Sequence, residues 1–133
     1  MKIQGACHCR DISYEAIVDP ARVSICHCTD CQALTGSAYR VTVPTLIEDF
    51  KLLSGSPKIY VKTGDSGAQR AQAFCPRCGS PLYAYSVDDP KTYGLRVGCI
   101  AERHALVPML QIWCGSALGW TGDIEDIPGR QRE

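Results

Sequence analysis

Seven of the nine cysteines stand in three tight groups, Cys7-x-Cys9, Cys26-x-Cys28-x-x-Cys31 and Cys75-x-x-Cys78. Thiolates at such spacings are metal ligands, and zinc is the ion that cysteine-only sets most commonly hold. Two pairs together make a closed four-sulfur site that ties chain segments, whereas a three-sulfur group leaves one position for water or a substrate sulfur. Two zinc ions per chain are therefore expected. One is structural, on Cys7, Cys9, Cys75 and Cys78, and one is catalytic or labile, on Cys26, Cys28 and Cys31.

In the closed set, an extended strand would aim Cys7 and Cys9 to one side and His8 to the other, which takes His8 out of the ligand shell. Cys75-Pro76-Arg77-Cys78-Gly79 has the form of a zinc knuckle, with glycine accepting the backbone angle after the second thiolate. In the open set the fourth ligand is missing, and Cys99, Cys114, His27 or His104 could supply it and turn the site into a second staple. Left open, a zinc with three cysteinates prefers a soft sulfur donor and holds a bound thiol as the nucleophilic thiolate. A small thiol cofactor follows, and an aldehyde is its simplest electrophile.

These residues have to be positioned by a small scaffold. At 133 residues the chain is expected to be one domain, residues 1–133, large enough for a core and small enough to gain from a metal staple. Fourteen Lys plus Arg balance fourteen Asp plus Glu, with no basic run, which argues against a nucleic-acid partner. No apolar run approaches a membrane span, and Met1–Gly5 runs into the first cysteine pair without a signal-like stretch, so the expectation is a cytoplasmic protein with no membrane partner. The odd cysteine count argues for metal over a disulfide framework. Oligomeric state is not legible.

Short alternating segments at Asp11–Ala16, Val23–Cys26, Tyr39–Val43, Lys58–Lys62, Pro81–Tyr85, Tyr93–Ile100 and Leu110–Trp113 predict a mostly β fold with short helical turns. Thr29 or Asp30 is placed to cap a short helix through Leu34, with Gly36 as its left-handed exit. Thr45-x-x-Glu48 matches a capping box for a second turn near Phe50. His27 is expected to face away from the cysteines beside it, Cys99 and Cys114 to be small core residues, and His104 to lie in a solvated loop. Tyr39, Phe74, Trp113 and Trp120 are read first as packing and second as pocket walls. The polar tail after Trp120 covers an edge or trails into solvent.

With Gly5-Ala6-Cys7-His8-Cys9, Cys26-His27-Cys28-x-x-Cys31 followed by Thr35-Gly36, Phe74-Cys75-x-x-Cys78-Gly79-x-x-Leu82, and Pro108-x-x-Gln111-Ile112-Trp113 with Trp120, the chain resembles the glutathione-dependent formaldehyde-activating enzyme family, which also includes proteins related to centromere protein V. The resemblance implies a β-tent of antiparallel sheets stapled by the structural zinc, with the second zinc on Cys26, Cys28 and Cys31. It implies a carbon–sulfur lyase, in the manner of S-(hydroxymethyl)glutathione synthase, acting on adducts of a small thiol such as glutathione with an aldehyde such as formaldehyde. The alternative is a non-catalytic zinc protein that binds or carries a thiol or serves as an interaction module. Two departures stand out. Gly98-Cys99-Ile100-Ala101 lacks the acid of a family Gly-x-Leu-Asp stretch, and Gln111 stands where histidine is frequent. A glutathione site needs cations for two carboxylates, and Arg40, Arg70 and Arg96 are the candidates.

Overall fold

The computed structural model describes residues 1–133. Strands β1 (Lys2–Ala6), β2 (Ser13–Ile17) and β5 (Phe50–Ser54) form an antiparallel three-stranded sheet in the order β1-β2-β5. A seven-stranded sheet combines β3 (Ser24–Cys26), β4 (Arg40–Leu46), β6 (Lys58–Thr63), β7 (Gln69–Phe74), β8 (Pro81–Ser86), β9 (Thr92–Arg96) and β10 (Leu110–Ile112). Its order is β10-β3-β4-β9-β8-β7-β6. The antiparallel expectation fails at one edge, where β10 runs parallel to β3 after the long return from β9. The fold is thus mostly β with one mixed sheet and one short α-helix, α1 (Thr29–Thr35). No helix is long and apolar enough to cross a membrane.

Period-two alternation gives the large sheet two unlike faces. Val43, Leu95, Tyr83 and Ala73 are register partners across four strands and all belong to the core. The small sheet meets that face with Ile3, Tyr14 and Ala16. Phe50 joins the layers, its ring centroid 5.2 Å from that of Tyr14 and 5.0 Å from those of Tyr83 and Tyr93. Intervening residues on β4, β7 and β9, among them Arg40, Thr42, Gln72 and Arg96, leave from the opposite face. Thr42 pairs with Arg96, and Arg40 with Cys26. One face of the sheet therefore makes the core and the other makes polar chemistry.

Tyr14 requires a glycine opposite it. Gly5 is its cross-strand partner, and a Cβ there would lie 2.1 Å from Tyr14 Cζ, so the ring occupies the space a side chain would fill. The free edge of β1 is covered by Ile100–Glu102: Gly5 bridges Ile100, and the Ala101 N–H donates to the Gln4 carbonyl at 2.8 Å. Covering that edge prevents pairing with another chain there.

Two local expectations change, and three strands were not foreseen. The strand expected over Tyr93–Ile100 stops at Arg96, and Val97–Cys99 turns as a 3-10 helix closed by the Ile100 N–H on the Val97 carbonyl. The Thr45–Glu48 capping box does not form: Ile47–Asp49 has no side-chain cap, because the Thr45 hydroxyl donates to the Ile17 carbonyl at 2.7 Å and links the sheets instead. Strands β1, β5 and β7 lack the apolar alternation that marked the others. β7 reads Gln-Arg-Ala-Gln-Ala-Phe and is a strand because β6 and β8 flank it.

Candidate metal centre and adjoining polar face

Cys7, Cys9, Cys75 and Cys78 bring four sulfurs within 4.8 Å of one another. A tetrahedron with metal–sulfur arms of about 2.3 Å has edges of roughly 3.8 Å. The Cys7–Cys9 and Cys9–Cys75 sulfur separations are 3.6 and 3.7 Å. Amides are aimed at the same atoms: Ile12 N–H at Cys7 Sγ, 3.3 Å, and Cys78 N–H at Cys75 Sγ, 3.5 Å. The donor set fits a divalent, thiophilic ion. Without one, crowding splits the thiols. Cys78 is drawn down to about 5, first by the Ser80 hydroxyl beside it, while Cys9, which the Asp11 amide by itself would lower, is pushed up to about 12 by the sum of desolvation and its bonds to the Cys7, Cys75 and Cys78 sulfurs.

The local route to Cys9 differs from the extended strand expected. β1 ends at Ala6, and Cys7–Arg10 is a turn closed by the Arg10 N–H on the Cys7 carbonyl, with Arg10 at φ 66°. The turn, not pleating, brings the two sulfurs to one side. His8 is exposed at its tip and outside the cluster. The second half follows the knuckle reading: Gly79 has φ 78°, and its N–H donates to the Cys75 carbonyl.

Cys26, Cys28 and Cys31 form the second group, also within 4.8 Å. Cys26 ends β3, Cys28 stands before α1 and Cys31 lies in its first turn. Neither Thr29 nor Asp30 caps that helix. Cys28 does, its sulfur accepting the Cys31 N–H at 3.3 Å, and Gly36 ends the helix at φ 61°. Burial pushes the Cys31 thiol up to about 12; Cys28 is drawn below the ordinary thiol value despite burial, by the Cys31 amide, its sulfur neighbours and Lys62. Three thiol donors gathered this closely also fit a thiophilic metal.

No fourth protein donor joins it. His27 is 3% exposed, bonded through Nε2 to Gln111 Oε1 at 2.8 Å, and packed edge-on against Tyr39. Cys99 sits against the core, its thiol donating to the Pro81 carbonyl, and His104 is exposed. Cys114 is not the core residue expected: β10 ends at Ile112, Trp113 takes φ 57°, and the turn that follows leaves Cys114 in solvent. Trp113 and Trp120 are likewise mostly exposed, whereas Phe74 lines a cavity of about 270 Å³ with Leu34, Arg40, Tyr60, Gln72 and Arg96.

Of the three candidate arginines, Arg40 and Arg96 are buried together and Arg70 is exposed. Arg40 Nη1 and Arg96 Nη2 both donate to Gln72 Oε1, at 3.2 and 3.0 Å. Burial, then the charge of Arg40, pushes the Arg96 guanidinium down to about 9, which still leaves it protonated at neutral pH. Gln72 is the residue that sequence reasoning missed. It lies two positions from Arg70 on β7, and only the register, which sets Ala84 between Gln72 and Gly94, clears a lane across β8 for Arg96.

A mostly β protein carrying two cysteine clusters of metal-ligand geometry is the class that fold and site define. The sequence model of the glutathione-dependent formaldehyde-activating enzyme family matches residues 2–116, and the chain belongs to that family. Among curated proteins it is 29% identical over 80 residues to one named as an uncharacterized lyase in Schizosaccharomyces pombe, covering 60% of this chain and 55% of that relative. The chain thus spans little more than half the length of that relative. Among solved structures, a crystal structure of a Rhodobacter sphaeroides protein superposes with a TM-score of 0.63 at 18% identity, covering 81% of this chain and 98% of that one, a likeness of fold.

Proposed function

We propose that this chain is a zinc-dependent lyase of the carbon–sulfur class, acting on the adduct of a small thiol, glutathione first among them, with an aldehyde such as formaldehyde. The observation that carries the reading is the contrast between the clusters: one gathers four sulfurs, the other three with no further protein donor. Residues 1–133 then act as one β-tent domain, with Cys7, Cys9, Cys75 and Cys78 holding a structural zinc and Cys26, Cys28 and Cys31 the working one. Family membership and the lyase name of the yeast relative support the same class.

The ion in the three-sulfur site would supply Lewis acidity toward a fourth-position sulfur, keeping it anionic at neutral pH. The chain supplies position. Cys28 fixes the start of α1 through its bond to the Cys31 amide, and the Lys62–Asp30 ion pair, 2.8 Å, ties that helix to β6. Gln32 Nε2 donates to the His27 and Ser116 carbonyls, at 2.8 and 3.0 Å, anchoring the helix to the β3 end and to the segment after β10. A held thiol meets the aldehyde carbon in fixed geometry, which converts a bimolecular encounter into an intramolecular one. The thiol sulfur bonds the carbonyl carbon and the thiol proton ends on the carbonyl oxygen; the reverse breaks that C–S bond.

Native mass spectrometry of protein purified without chelator tests this. Two zinc ions per chain and a one-to-one glutathione adduct are expected, with Cys26→Ser keeping one zinc and losing adduct and turnover. Turnover retained by Cys26→Ser refutes the assignment.

A further inference from the structure

Two buried guanidiniums with no carboxylate are an unbalanced pair. Arg40 and Arg96 are 6% and 8% exposed. The ion pairs of the structure use Lys2, Lys62, Arg77 and Lys91, and none includes either arginine. What the two share is one neutral amide oxygen, Gln72 Oε1, with Thr42 Oγ1 as a further acceptor for Arg96 Nη1 at 3.0 Å. Arg40 Nε is buried and has no partner at all. Buried cations are expensive unless an anion and hydrogen bonds meet them. Nε and one Nη of a guanidinium form the fork that matches the two oxygens of a carboxylate. Both arginines line the 270 Å³ cavity whose other walls include Leu34, Tyr60 and Phe74. Arg40 is the ladder partner of Cys26, and Leu34 belongs to the helix that carries Cys31, which sets this wall of the cavity beside the three-sulfur cluster.

We propose that Arg40 and Arg96, braced by Gln72, bind the carboxylate of a small anionic ligand whose other end reaches Cys26, Cys28 and Cys31, and so select carboxylate-bearing thiols over neutral ones. The sulfur end rests on the proposed function; the carboxylate end stands on the arginine geometry alone.

The test follows the arginine Nε–H resonances of the ¹⁵N-labelled, metal-loaded protein. Sodium acetate should shift the Arg40 and Arg96 signals saturably, and sodium chloride at equal ionic strength should not. 3-Mercaptopropionate should bind at least tenfold more tightly than acetate and tenfold more tightly than 2-mercaptoethanol. Arg40→Lys, which keeps the charge and loses the fork, should weaken acetate at least tenfold with two metals still bound; if that variant does not fold, Arg96→Lys and the native titrations decide. In Cys26→Ser the acetate shift should persist while the thiol advantage disappears. Equal shifts with chloride, larger shifts with inorganic phosphate, or equal affinity for 2-mercaptoethanol and 3-mercaptopropionate would overturn the proposal. Acetate binding without any thiol advantage in the native protein upholds the carboxylate site and instead defeats the thiol-handling function.

Discussion

Gly5→Ala places one methyl group where the Tyr14 ring lies. The added Cβ would meet Tyr14 Cζ at 2.1 Å, the hydroxyl oxygen at 2.4 Å and Cε2 at 2.5 Å. The ring would have to retreat by roughly 1.5 Å to reach ordinary contact in an interior packed like a crystal. It has no room to do so: Tyr14 is 0% exposed, and Phe50 backs it from 5.2 Å. Overpacking of this kind costs about 1–3 kcal/mol, and the upper end applies where the obstacle is a ring held on both sides. The expected loss is about 3 kcal/mol, a large share of the roughly 5–15 kcal/mol that holds a domain together. Denaturant unfolding at fixed zinc concentration measures it. Tyr14→Val, costly alone, should make Gly5→Ala nearly free, so the double-mutant cycle should give a coupling of about 2 kcal/mol or more. A Gly5→Ala midpoint within error of the parent, or additive losses in the double variant, would refute the assignment of that space to the ring.

Cys75→Ser should remove one of two metals and the folded state with it, because metal binding at structural sulfur sites is worth on the order of 10 kcal/mol; metal analysis and circular dichroism report both. A strong chelator added to the parent should reproduce that unfolding, whereas a chelator dose that strips one metal should leave circular dichroism unchanged and abolish turnover. Tyr14→Phe should raise stability by up to about 1 kcal/mol, since the Tyr14 hydroxyl is buried with no partner. Burial raises the phenols of Tyr14, Tyr83 and Tyr93, Tyr83 to about 12. In the unfolded chain a tyrosine loses its proton near pH 10. Stability from these groups is therefore complete below about pH 10 and falls as pH rises from there toward the folded values. Absorbance at 295 nm should show tyrosine ionisation continuing well above pH 10, and a titration complete near pH 10 would contradict the burial described.

The cysteine spacings made both sulfur clusters legible, because ligand spacing within a cluster is local, and the strands with β-branched alternation were legible for the same reason. Cys28 as a helix cap was not, because sulfur is no usual capping atom and Thr29 and Asp30 stand beside it as better candidates. The parallel β10 depends on where a thirteen-residue return from β9 lands, which no local pattern encodes. Arg40 and Arg96 could be named as candidates, yet their meeting over Gln72 joins β4, β7 and β9 through sheet register. Strands whose alternation is polar and alanine, as in Gln69–Phe74, carry no hydrophobic signal and are dictated by neighbours.

The four-sulfur cluster brings Cys9 to Cys75 across 66 positions of chain. The hairpin between β6 and β7 lies inside that loop, and its tip, exposed from Asp65 to Ala68, is held by local hydrogen bonds alone: Gly64 N–H to the Ala68 carbonyl, Gly67 N–H to the Gly64 carbonyl and Ala68 N–H to Ser66 Oγ. A cut at the tip would send Cys7, Cys9 and the whole three-cysteine cluster to one fragment, and Cys75 and Cys78 to the other. The halves would still meet along the β6–β7 ladder and at the shared sulfurs, so the chain is divisible there into two pieces whose reassembly an ion would govern. With an ion in the four-sulfur cluster, a protein that is one chain by synthesis would become, at that turn, a metal-dependent pair of complementing parts.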